Sequence, residues 1–117
     1  MKPPTACALW TDPEPRLSGP LSRNFELLQQ FEHESHWSRA LLRCRECGQR
    51  YVYEFYEEID WADGEDPQYR TWVPVDSDAE VDRLRQAGPG GLAGFRPCLR
   101  RDWPKGAPAP TVFWVRE

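Results

Sequence analysis

The chain has 117 residues, with 15 basic and 19 acidic side chains and a formal net charge of −4. That length suits one domain spanning 1–117, and the negative balance argues against a general attraction to phosphate backbones. No apolar run approaches the ~20 residues of a membrane span. The opening Met1-Lys2-Pro3-Pro4-Thr5-Ala6-Cys7 lacks the apolar stretch of a secretion signal, so the expected compartment is the cytoplasm.

Hydrophobic residues are 39% of the chain, and twelve prolines with eight glycines leave much of it for loops. A modest core of this kind gains from a cross-link. In a reducing compartment four cysteines favour a metal over disulfides.

In chain order, residues 11–20 hold three prolines and predict neither helix nor sheet. Ser22 is a good N-cap, and Phe25, Leu28, Phe31 and Ser35 follow at helical spacing, predicting a helix to about His36 or Trp37. Ala40 to Arg43 predicts a short strand. Tyr51 to Trp61 alternates aromatic odd positions with largely acidic even ones, which predicts a long strand. A turn at 62–67 leads into a second β-rich run, Tyr69 to Val75. Ser77-Asp78-Ala79-Glu80 is a capping box opening a helix with Val81 and Leu84, stopped by Gly88-Pro89. Residues 88–110 read as mostly irregular, and Thr111 to Val115 as a final strand. The sum is an α+β fold: an antiparallel sheet of three or four strands, two helices on one face, and a knuckle at the end of a hairpin.

Cys44-Arg45-Glu46-Cys47-Gly48 lies between two strands. Cysteines three apart place both sulfurs on one side of a tight turn, and glycine tolerates the conformation that closes it. From Leu42 to Tyr53 the sequence resembles the zinc knuckle of zinc-ribbon and rubredoxin-like families, although no second C-x-x-C follows. The resemblance implies a structural zinc, with iron the less common occupant of such a knuckle. A closed site needs four ligands. Cys7 and Cys98 are the other thiols, and with Cys44 and Cys47 they make an all-thiolate set; His36 or His33 is the rival source of a ligand.

Seven carboxylates and no basic residue lie between Glu54 and Asp66. On the even face of the predicted strand, Glu54, Tyr56, Glu58 and Asp60 form a candidate surface for a basic protein partner. Glu57 falls on the aromatic face, where a salt bridge with Arg70 or a helix residue, or a β-bulge turning it outward, is expected. Nucleophile motifs, phosphate-cradling loops and H-E-x-x-H are missing from the sequence.

The expected function is therefore a non-enzymatic zinc-binding interaction module, comparable in charge and size to small acidic inhibitors and immunity-type proteins. The alternatives are a nucleic-acid-binding zinc domain using Arg43, Arg45 and Arg50, and a small metal-dependent enzyme with Glu57 or Glu58 as base.

Overall fold

A computed structural model describes residues 1–117. Six strands, β1 (Phe25–His33), β2 (Trp37–Cys44), β3 (Arg50–Glu57), β4 (Gln68–Val75), β5 (Cys98–Trp103) and β6 (Thr111–Val115), form one antiparallel sheet in chain order. Three short helices, α1 (Ala8–Thr11), α2 (Pro13–Leu17) and α3 (Leu21–Asn24), precede it. The longest helix, α4 (Asp78–Arg85), and a 3-10 turn at Gly91–Gly94 separate β4 from β5. None of these helices is long and apolar enough to cross a membrane.

The expected α+β fold with three or four strands is thus corrected to a six-stranded meander with small helices. The main error is β1. Its residues Leu28 and Phe31 are three apart yet pack on the same side of the sheet, whereas Phe25 packs on the other. Two register shifts, at Leu27/Gln29 and Gln30/Glu32, put extra residues into the strand. Bulges of this kind turn a period of two into an apparent period of three. Elsewhere, the long strand stops at Glu57 rather than Trp61, and the stretch read as irregular contains β5.

Nor do the helices share a face. The N-terminal segment brings Cys7, Leu9 and Leu17 onto the side carrying Phe25, Leu42, Tyr51, Tyr53 and Trp72, here called face A. The indole Nε1 of Trp114 on β6 donates to the Leu9 carbonyl at 2.7 Å, fixing this strap across the sheet. On face B, Val81 and Leu84 of α4 and Leu92 of the 3-10 turn cover Leu41, Val52, Val73 and Cys98. The capping box holds α4 in place: the Ser77 hydroxyl accepts from the Glu80 amide at 3.2 Å. A sheet covered on both sides hides its even positions as well as its odd ones.

Face B also contains a buried ion pair. Arg39 and Glu54, each 1% exposed, are register partners on β2 and β3 and bond to each other. The Arg39 guanidinium also donates to the carbonyls of Leu84 and Gly88, at 3.3 and 3.0 Å. These carbonyls lie at and just beyond the end of α4, where a cation is favoured. Glu54 in turn accepts from Trp37 Nε1 at 2.8 Å and from the Gly90 amide at 3.2 Å.

Candidate functional site

The knuckle closes the β2–β3 hairpin. The Gly48 amide donates to the Cys44 carbonyl at 2.9 Å, and Gly48 takes a φ of 80°. A side chain is strained in that left-handed conformation, so glycine suits the position. The Gln49 amide reaches Cys47 Sγ at 3.4 Å, the turn-amide-to-sulfur contact that stabilises a thiolate.

The strap carries Cys7 to the same point. Sulfurs of Cys7, Cys44 and Cys47 all lie within 4.8 Å of one another. Cys7 Sγ is 3.7 Å from Cys44 Sγ. Bonds of ~2.3 Å from a metal to sulfur at tetrahedral angles put two sulfurs about 3.8 Å apart. A disulfide needs ~2.05 Å; all four cysteines are free. The three sulfurs are therefore close enough to hold one metal ion, with Cys7 and Cys44 buried and Cys47 exposed.

Charge at this point is costly without a cation. Burial is the main cause that pushes the Cys7 thiol up to about 12, and the neighbouring Cys47 and Cys44 add to it, while the Leu9 amide opposes them. Tyr51 is fully buried beside the sulfurs, and its hydroxyl has no partner within the chain. Burial raises its pKa, and negative charge on Cys7, Cys47 and Cys44 raises it further. A metal that turns thiols into thiolates supplies this phenol with acceptors. Arg16 of α2 pairs with Glu46 inside the knuckle, a second link between strap and hairpin.

Two proposed sources of the fourth ligand are corrected. Cys98 is buried on face B, where its Sγ lies 3.9 Å from the Ala93 carbonyl; the whole sheet separates it from Cys7 and Cys44. His36 directly precedes β2 and Cys44 ends it, so the eight residues of the strand hold them roughly 26 Å apart. His33 is at the same far end, opposite Ser38. The side of the sulfur cluster near Cys7 and Cys47 instead opens on a cavity of about 500 Å3 that Gln49 and Asp76 also line.

The acidic segment is rearranged as well. Glu54, expected on the surface, is the buried partner of Arg39, so it is not available to a partner protein. Asp60 pairs with Lys105 at 2.9 Å, and Asp63 with the same amine at 2.7 Å. The Lys105 hydrogen bond is the main cause holding the Asp60 carboxyl below the usual range. Glu57 is bonded to His36 Nδ1 and to Gln68, both at 2.7 Å, in place of the expected Arg70 or helix residue. Tyr56 is half-buried and only Glu58 is freely exposed among the four predicted partner residues.

What reasoning from sequence missed is Trp61. It is 88% exposed in the loop between β3 and β4, with Ile59 also exposed beside it. The turn at 62–67 is legible in the sequence, but the predicted strand before it runs to Trp61, four residues past its end at Glu57. Compared with protein-family models, with curated proteins and with solved structures, the chain finds no match, so these assignments rest on its own geometry.

Proposed function

We propose that this chain is a zinc-stapled, non-enzymatic binding module that docks a basic protein through the loop at 58–67. The observation that carries it is Trp61, 88% exposed beside Glu58, Asp63 and Glu65. An exposed tryptophan is costly to leave in water and is the side chain most enriched among interface anchors, and the carboxylates around it select a basic partner. Lys105 neutralises part of this charge but leaves Glu58 and Glu65 free, and it holds the loop in one shape before binding.

Zinc fits the sulfur cluster because thiolates favour it, and the 3.7 Å sulfur separation matches its bond lengths. Its role in this reading is structural: Cys7 clamps the strap, and the Cys44–Cys47 pair clamps the hairpin. The cavity that Cys7 and Cys47 line would let water supply the fourth ligand. That same arrangement is what favours the second reading, a small metal-dependent enzyme. The bases expected from the sequence, Glu57 and Glu58, are distant, since Glu57 ends β3 at the opposite end from the knuckle and is already bonded to His36.

The test is affinity capture from the native cell with wild-type protein and Trp61→Ala, followed by mass spectrometry. A basic protein retained by wild type and lost with Trp61→Ala supports the reading, and its association should slow as salt rises. Micromolar or tighter binding to oligonucleotides that weakens in Arg43→Ala, Arg45→Ala and Arg50→Ala overturns it in favour of nucleic acid.

A further inference from the structure

Face A carries two arginines in direct opposition. Arg70 on β4 and Arg101 on β5 are register partners, so their side chains rise from the same face side by side. Like charges facing each other across an antiparallel pair repel unless a counter-charge lies between them. No carboxylate of this chain fills that role: neither guanidinium forms an ion pair, although 19 acidic residues are present. Arg70 reaches only the Tyr53 hydroxyl, at 3.4 Å, and stacks over the Phe55 ring with its Nε buried and unpartnered. Burial and the neighbouring Arg70 both lower the pKa of Arg101.

Beneath them lies a third donor. Trp72 is 1% exposed, and its indole Nε1 has no acceptor. All three side chains line one cavity of about 270 Å3, bounded on its other side by the strap from Leu17 to Leu21. Buried donors are nearly always paired, so Arg70 Nε and Trp72 Nε1, both buried without an acceptor beside the uncompensated Arg101, point to one that comes from outside the chain. The cavity shares Leu21, Phe25 and Arg70 with an open groove of about 620 Å3. Phe25, Leu27, Leu42 and Phe55 supply its apolar lining, and no acidic residue lines either space.

We propose that this is a binding site for a small amphiphilic carboxylate. The two carboxylate oxygens accept from Arg70, Arg101 and Trp72 Nε1, and the hydrocarbon body lies on Phe25, Leu27, Leu42 and Phe55. Guanidinium groups pair with carboxylates through planar, paired hydrogen bonds, and a partly desolvated site strengthens them. An apolar groove ending in a few convergent donors is the usual form of a small-ligand site, and both spaces fall near the common range of ~300–1,000 Å3. The site is on the opposite side of β3 and β4 from α4, and no residue of the docking loop lines either space.

Decanoate, below its aggregation concentration, is the probe. It is titrated into the metal-loaded full-length protein, with calorimetry for affinity and nitrogen-15 spectra for the Trp72 indole, assigned through Trp72→Phe. The expected result is one site per chain, a shift of the Trp72 indole resonance, and affinity reduced at least about tenfold, or roughly 1.4 kcal/mol, in Arg101→Gln. Decanol, with the same tail and no charge, should bind at least about tenfold more weakly than decanoate. Arg70→Gln provides a second variant, and Arg101→Gln, at a half-exposed position, keeps the test valid if that one misfolds. Equal affinity for decanol and decanoate overturns the proposal, as does unchanged affinity in Arg101→Gln or absence of binding at millimolar decanoate. Self-association that covers the groove and excludes decanoate also overturns it.

Discussion

On face B, Arg39 and Glu54 are fully buried, yet Arg39 Nε is the only buried polar atom of the two side chains left without a partner. On face A, Tyr51, Arg70 and Trp72 each bring a donor that finds none. The difference is one of origin. Face B is closed by α4, whose C-terminal carbonyls receive the guanidinium, so the ion pair finds most of its partners within the folded chain. Face A is crossed by a strap that lacks matching acceptors near these groups. A buried unsatisfied donor costs about 1–3 kcal/mol, so a face holding three is built for a bound metal or ligand that completes it. Face B is thus structural in its polar chemistry, and face A is the receiving side of the molecule.

The strongest way to break this comparison is to remove the metal from face A. Structural zinc contributes on the order of 10 kcal/mol of apparent binding energy, comparable to the stability of a whole domain. Metal-free protein should therefore melt well below the holo form, and elemental analysis of purified protein should find about one zinc per chain. Cys7→Ser and Cys44→Ser should each lose most metal affinity, whereas Cys98→Ser, on face B, should keep it. Retained affinity in Cys7→Ser would remove the strap from the site.

Opposite signs are expected for the next pair. Arg39→Ala leaves Glu54 buried without its partner, which typically costs about 3–5 kcal/mol. Arg101→Leu removes one of two opposed like charges on face A, so ligand-free protein should be unchanged or stabilised by up to ~1 kcal/mol. Denaturant unfolding of the two variants measures both. Equal destabilisation would erase the distinction between the faces.

The smallest effect concerns the loop at the edge. Because the Asp60 carboxyl is held below its ordinary value, its pairing with Lys105 contributes above the usual carboxylate range. That contribution is lost as pH falls through the lowered value. Hydrogen exchange of amides 61–65 should accelerate relative to the rest of the chain on acidification, and Lys105→Met should abolish that extra acceleration.

Local chemistry was legible in the sequence, and pairing geometry was not. The knuckle, the capping box and the strand at 111–115 each follow from a few adjacent residues. Cys7 was found by its chemistry alone, while Cys98 was misassigned because its face depends on the register of β5. Alternation correctly set Glu54 apart from the aromatic face, but nothing local showed that α4 covers the other side. One usable signal was overlooked. Counting back along both strands from the Arg43–Arg50 pair that closes the knuckle, four steps reach Arg39 and Glu54. An arginine in the middle of an apolar run, facing a glutamate in the middle of an aromatic one, marks a buried pair. The bulges in β1 had no such marker, and two extra residues were enough to imitate a helix.

The meander order also sets how the molecule assembles. Every strand pairs with its neighbour in the chain, so the sheet grows by hairpins whose loops are inexpensive to close. The strap is the exception: the bond from Trp114 to Leu9 joins residues 105 apart. Cys44 and Cys47 therefore come together early and locally, while Cys7 arrives only when the chain's beginning meets its last strand. A metal ion caught first by the hairpin and then by the strap would join the earliest contact of folding to the latest.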